Sequence, residues 1–512
     1  MVCKTISATI AGADARMVNV EVDIGGGLPS FDMVGLLSSE IKESRERIRA
    51  AVKNCGITLP AGRITVNLSP ADIRKTGSYF DLPITVCLLT AAGFIPPERL
   101  KDALFIGELA LDGRIVPVSG VLAIVIGAMQ SGVSRFFVPK ENLAEAAAAG
   151  GGNLIGVGSL PELISILNGP EDELLKAGAM EKTAQDEASG DEDDDGFDFK
   201  YVCGQRSARR AAEIAAAGAH NILLTGQPGT GKSMIAKCIP GIMPAMTRQE
   251  CVDVWKIYSI AGKLKGGELF FKRPFRSPHH TVTVKALTGG GSNPRPGEVT
   301  LAHRGVLFLD ELPEFQRAAI EALRAPMEDR CVSIARAGTT YVFPADFMLV
   351  AAMNNCKCGY YPDTNRCRCS QSDIDRYIGR VSGPIIDRID ICVSTGAVTF
   401  ESANAKETAE SSKAIRERVE AAAAIGRERY AGTGIRNNAS LDGKNVEKYC
   451  ALGGKEKRLM KKLFESMKLS YRSYFKILKV ARTICDLDGG GQIKSDHICE
   501  AASYRPPEYL LR

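Results

Sequence analysis

The chain has 512 residues, 45% apolar and 24% charged, with a formal net charge of +5; this excludes fibrous and wholly disordered proteins, and two to four domains are expected. No apolar run approaches the ~20 residues needed to cross a bilayer, and MVCKTISATIAGADAR lacks a basic segment followed by an apolar one, so a soluble cytoplasmic protein without membrane contact is expected. Fifteen scattered cysteines fit reduced thiols or a metal site rather than the disulfide framework of a small secreted domain.

Residues 1–170 alternate strand-like runs (VNVEVDIGGG, ITVNLSPADIRK) with helix-like ones (IKESRERIRAAVKNCG, LAEAAAAGG), which predicts an α+β or α/β domain. Its basic cluster at 43–53 is either a nucleic-acid contact or a solvated face. A linker is expected over 171–199, because residues 181–200 hold nine acids against two bases, a net of −7, and too few apolar groups to order the chain. The rest of the chain is correspondingly more basic, which permits nucleic-acid binding without requiring it.

Residues 226–233, GQPGTGKS, fit G-x-x-x-x-G-K-[ST] between the strand-like NILLT and the helix-like SMIAKCI. Such a stretch is either a phosphate loop or an ordinary strand–turn–helix. In the first case Gly226, Gly229 and Gly231, with Gln227, Pro228 and Thr230 between them, let backbone amides curl around phosphates. Lys232 then reaches the β/γ-phosphates and Ser233 the Mg²⁺. The run GVLFLDEL at 305–312 supplies the acidic pair that ATP hydrolysis needs: Asp310 for the metal, Glu311 to polarise the attacking water. Alone, the pair is equally well a helix N-terminus; with the loop upstream it indicates a nucleotide hydrolase.

Asn354 ends the apolar run FMLVAAMNN, Arg388 interrupts SGPIIDRIDI, and Arg472 starts YRSYFKILKVARTICDL. Each has ordinary structural roles, but phosphoryl transfer uses an amide to hold water and an arginine, in cis or from a neighbour, to stabilise charge on the γ-phosphate. Between these motifs, Cys356, Cys358, Cys367 and Cys369 form two C-x-C pairs eight residues apart. They are either ligands enclosing a structural Zn²⁺, with no position left for catalysis, or reduced loop cysteines. The stretches 273–291 and 330–343 read as an insertion and a hairpin. They offer Lys285, Arg336, His279 and His280 for salt-sensitive phosphate contacts with nucleic acid, or for subunit packing. A shared metal at His279 and His280 is disfavoured, since neighbours on an extended chain point apart.

Taken in order, the phosphate loop, RPFRSPHHT, GGGSNPRPGEVTLAHRGVLFLDELPEF, FPADFMLVAAMNNCKCGYY, SGPIIDRIDI and the Arg472 segment resemble the magnesium-chelatase-related AAA+ ATPases of the YifB/ComM type. The resemblance implies an α/β fold with an AAA+ P-loop NTPase core over 200–398. A C-terminal helical lid follows over 399–512, and a Lon-protease-like domain (ribosomal S5 domain 2-like) precedes the core over 1–170. It also implies Asn354 as sensor 1, Arg388 as a finger entering the adjoining subunit's site, and Arg472 as sensor 2 of the lid, moving with it. ATP, Mg²⁺, a hexameric ring and single-stranded or branched DNA follow from the same resemblance, as does a branch-migration helicase promoting DNA integration in natural transformation and recombination. The family carries prolines where this chain has Asn355 and Lys357, which leaves open whether Asn354 or Asn355 faces the nucleotide. In the Lon-like part, Tyr79 stands at the serine position, with Ser78 one residue early, and Leu122 at the lysine position. Without a serine–lysine pair, a scaffold or DNA-contact role is expected there. Two rivals remain: the motor subunit of a metal-insertion complex, and a regulator of ATP-dependent proteolysis.

Overall fold

Apolar residues at every second position build the first sheet. Strands β1 (Val2–Ala11) and β2 (Asp14–Gly25) pair antiparallel along their whole length, and along β2 Val18, Val20 and Val22 are fully buried while Asn19 is exposed. The computed structural model describes residues 2–170, 196–264, 269–336, 339–396, 410–507 and 510; the expected acidic linker lies outside them as far as residue 195, as does the expected boundary at 398. The chain continues through β3 (Ser30–Val34), α1 (Ser39–Asn54), β4 (Arg63–Ser69), α2 (Asp81–Ala91), β5 (Ala103–Phe105), α3 (Val121–Gln130), β6 (Arg135–Pro139), α4 (Leu143–Ala147), β7 (Asn153–Val157) and α5 (Leu160–Asn168). These strands form a seven-stranded mixed sheet in the order β3-β4-β2-β1-β5-β6-β7. Helix α2 is buried from Asp81 to Thr90, as befits a helix apolar on every side.

A second sheet follows. Its elements are α6 (Arg206–Gly218), β8 (Ile222–Gly226), α7 (Lys232–Ile242), α8 (Arg248–Ile260), β9 (Phe275–Arg276), β10 (Val306–Leu309), α9 (Arg324–Asp329), β11 (Cys331–Arg336), β12 (Thr339–Pro344), β13 (Met348–Met353) and β14 (Ile391–Thr395). Five strands run parallel in the order β9-β10-β13-β8-β14, while β11 and β12 form a separate antiparallel hairpin. The apolar runs of β8, β10 and β13 are buried at every residue, the pattern of a parallel sheet covered on both faces. Strand β8 lies between β13 and the edge strand β14, and such sheets carry ligands at the carboxyl ends of their strands.

The last region is helical: α10 (Ser412–Arg429), α11 (Gly443–Tyr449), α12 (Gly454–Ser466), α13 (Tyr471–Leu487) and α14 (Ser495–Ser503). Helix α13 buries Ile477, Val480, Ala481 and Ile484 and packs on α6 and α10. Thr483 meets His220, just before β8, at 2.8 Å.

The two sheet units touch. The turn between β1 and β2 rests on β12: Ala13 N–H donates to Val342 O at 3.0 Å. A Cβ on Gly12 would lie 2.6 Å from that same oxygen. Leu122 and Ala148 pack with Cys251 and Trp255 of α8 in one apolar cluster. The buried Glu145 bonds the Ser259 hydroxyl, and burial raises its carboxyl above the ordinary range. Among the described residues, no helix is long and apolar enough to cross a membrane.

Candidate functional site

Strand β8 ends at Gly226, and the following loop turns into α7 through glycines in conformations that side chains avoid: φ is +76° at Gly229 and +84° at Gly231. At Gly226 the constraint is space, since a Cβ would lie 2.3 Å from Thr395 Oγ1. Two residues without a sequence signal pin the loop, one from β14 and one just before α6. Thr395 meets Thr230 Oγ1 at 2.7 Å, and Gln205 donates to Thr230 O at 3.3 Å and Gly396 O at 2.7 Å. Helix α7 begins at Lys232, so its positive end faces the loop.

The Lys232 ammonium donates to Gly226 O at 3.0 Å, Gln227 O at 2.8 Å and Asn354 Oδ1 at 3.1 Å. Burial lowers its pKa, and the Asp310 carboxylate works in the opposite direction. Asn354 is thus the asparagine that faces the loop; Asn355 is buried and donates to Tyr361 O at 3.1 Å. Ser233 Oγ donates to Asp310 Oδ2 at 2.6 Å. A hydroxyl and a carboxylate brought together at the end of a phosphate loop are hard oxygen ligands suited to Mg²⁺. Glu311 follows at φ +52°, a left-handed conformation that is costly for this residue type and concentrated at functional sites. Its side chain is 59% exposed, and its carboxylate lies 3.8 Å from His280 Nδ1.

The His279 and His280 rings do not point apart as expected from an extended chain; their centroids are 4.0 Å apart. The reason is a turn, closed by Val282 N–H donating to His279 O at 2.9 Å. Lys285, on the short helix Val284–Thr288, and Arg336, at the end of β11, are both exposed. In the basic cluster of α1, Arg47 is committed to the buried Asp81 at 2.6 Å, whereas Arg45, Arg49 and Lys53 are exposed.

Arg388 and Arg472 are brought together, but not to the phosphate loop of their own chain. Both contact Glu328 of α9 at 2.7 Å, one on each carboxylate oxygen, and this carboxyl is held below its ordinary range chiefly by its bond to Arg388. Asn221, just before β8, donates to Arg388 O at 3.0 Å. Lys232 lies beyond the other end of that strand, and its five residues span roughly 16 Å. Beside the Glu328 cluster, Asp346 receives Arg304 at 2.8 Å, Arg330 at 3.0 Å and Arg436 at 3.0 Å. These residues line a cavity of about 540 Å³.

The four expected cysteines converge: their sulfurs lie within 4.8 Å of one another. Cys356 Sγ is 3.3 Å from Cys358 Sγ and 3.7 Å from Cys367 Sγ, and Cys358 and Cys367 are 3.6 Å apart. Tetrahedral Zn²⁺ with bonds of ~2.3 Å needs sulfurs about 3.8 Å apart, so the donors fit a structural zinc. In the first sheet unit, Tyr79 OH accepts the Ile10 N–H at 3.3 Å, Ser78 bonds Glu108, and Leu122 is buried in the cluster with Trp255. No nucleophile–base pair forms at those positions.

Three family models match the chain: magnesium chelatase, subunit ChlI, over residues 198–403; subunit ChlI of Mg-chelatase over 20–142; and magnesium chelatase, subunit ChlI C-terminal, over 409–505. The chain is 39% identical to competence protein ComM of Haemophilus influenzae over 502 residues, covering 98% of this chain and 97% of that protein. It is 38% identical to YifB of Salmonella typhimurium, covering 98% and 96%. It is also 25% identical over 173 residues to the Lon protease of Chloroflexus aggregans, covering 31% of this chain and 20% of the protease.

Proposed function

The chain belongs to the magnesium-chelatase-related family that includes ComM and YifB, and from that premise we propose that it is an ATP-hydrolysing ring motor acting on DNA. The observation that carries the reading is the convergence of Lys232, Asn354, Ser233 and Asp310 around one glycine-rich loop, with Glu311 next to Asp310 in the chain. When ATP enters, Lys232 exchanges its loop carbonyls for phosphate oxygens, and the amides around Gly229 and Gly231 take the remaining charge. Ser233 and Asp310 would hold Mg²⁺, whose charge offsets that of the β- and γ-phosphates. Glu311 orients and polarises the attacking water, and Asn354 keeps it in line. Arg388, remote from its own loop, serves an adjoining subunit's γ-phosphate, with Arg472 beside it. This requires a ring, which we take to be hexameric. The four-thiol cage takes a structural Zn²⁺.

DNA as the track rests on the full-length similarity to a competence protein and on the exposed Lys285 and Arg336. Branch migration, serving DNA integration in the cytoplasm, is the activity this combination supports best. The similarity to magnesium-chelatase subunits favours a second reading, the ATPase of a metal-insertion complex. A protease regulator is disfavoured by Tyr79 and Leu122. The deciding experiment measures ATP turnover with single-stranded, duplex and four-way-junction DNA. Stimulation strongest on the junction, with strand displacement, is expected; turnover indifferent to all three would overturn the DNA reading and leave the ATPase intact.

A further inference from the structure

Strand β13 delivers two things within three residues. Asn354 bonds Lys232, and Cys356, fully buried, is the first sulfur of the cage. Asn355 between them ties the same segment back to Tyr361 O at 3.1 Å, and Tyr361 N–H donates to Cys356 Sγ at 3.4 Å. The loop then folds over the nucleotide site. Gly359, at φ +88°, sits against the ring of Pro228: a Cβ there would lie 2.6 Å from Pro228 Cγ and Cδ and 3.8 Å from Asn354 Cγ. The loop that carries the four sulfurs thus rests, through Gly359, on Pro228 and beside Asn354, the partner of Lys232.

Four thiols at these separations do not hold one another in place. As thiolates they repel, and as thiols they make only weak hydrogen bonds. A bound soft cation reverses the sign of that interaction and fixes the loop. Thiolate ligands in a closed tetrahedron select Zn²⁺ over the hard Mg²⁺ of the nucleotide site. We propose that Zn²⁺ held by Cys356, Cys358, Cys367 and Cys369 sets the position of Pro228 and Asn354, so that zinc occupancy controls the affinity of the phosphate loop for nucleotide. This rests on the reading of residues 226–233 as an ATP site. The zinc takes no part in the chemistry. It shapes one wall of the site, and its loss lets Gly359 withdraw from Pro228 and Asn354 turn from Lys232.

The test uses the full-length protein, a fluorescent ATP analogue with Mg²⁺ in excess, and metal analysis of the same samples. One zinc per chain is expected as purified. Removing it with 1,10-phenanthroline should weaken analogue binding by about tenfold or more, and Zn²⁺ alone should restore it. Gly359→Ala separates geometry from metal: its Cβ collides with Pro228, so it should keep its zinc yet bind the analogue about tenfold more weakly. It also keeps the proposal testable should Cys367→Ser fail to fold. Protein purified without zinc, or zinc-free protein that binds the analogue as tightly as the loaded form, overturns the proposal while the nucleotide site stands. Zinc-loaded wild type with no affinity for the analogue overturns the ATP reading and the proposal with it.

Discussion

At the carboxyl ends of the parallel strands, chemistry comes from residues adjacent in the chain: GQPGTGKS after β8, Asp310 and Glu311 after β10, Asn354 after β13. At the amino ends of the same strands it comes from distant segments. Asp346 gathers Arg304, Arg330 and Arg436, and Glu328 gathers Arg388 and Arg472. The first end presents backbone dipoles and one lysine, bound only to carbonyl and amide oxygens that a phosphate can replace. The second presents arginines already neutralised by carboxylates. Burial opposes the charge of Asp346, yet Arg330 and Arg304 keep its carboxyl below the ordinary range. An arginine leaving such a pair exchanges one anion for another, as the proposed role of Arg388 at an adjoining subunit's phosphate requires.

Four substitutions test this contrast. Lys232→Ala removes the only side-chain cation among the described residues that bonds the loop carbonyls and should abolish binding of ATP analogues and turnover together. Arg388→Ala should leave nucleotide binding nearly intact and lower turnover by about 10³-fold; mixing it with Lys232→Ala subunits should recover part of the activity. No recovery in confirmed mixed rings would return Arg388 to a purely structural role. Glu311→Gln should bind ATP and hydrolyse it about 10²-fold more slowly, read by single-turnover assay. The last effect is on stability and belongs to the amino end. Burial lowers His303 to about 4, and its Nδ1 accepts the Asp346 N–H at 3.0 Å. Below the ordinary value near 6.5 the unfolded chain takes up a proton that the folded chain refuses. The stabilisation is therefore complete above pH 6.5 and lost progressively toward pH 4, by up to about 3 kcal/mol. Thermal unfolding across that range should show the decline, and His303→Asn should flatten it.

The same contrast governs what the sequence disclosed. The strand–turn–helix at 226–233, the acidic pair after a buried strand and the mixed α/β architecture are readable because local spacing and apolar runs encode them. Whether Asn354 or Asn355 faces the loop was not readable, since both follow the same strand and only the backbone direction at its end separates them. Gln205 and Thr395 carry no motif; they matter because parallel pairing places β14 beside β8. Glu328 is one glutamate among many until the fold brings two arginines to it. The neighbouring rings of His279 and His280, tilted by 35°, defeat an argument from extended geometry because the chain turns there.

Leu122, expected from the resemblance to stand at a lysine position of a Lon-like domain, packs in one apolar cluster with the indole of Trp255. An expression fragment starting after the acidic run would lose that cover from one side of the indole, which Phe271 still meets edge-on at 5.3 Å. Helix α3 of the amino-terminal unit is therefore the cap over this face of α8.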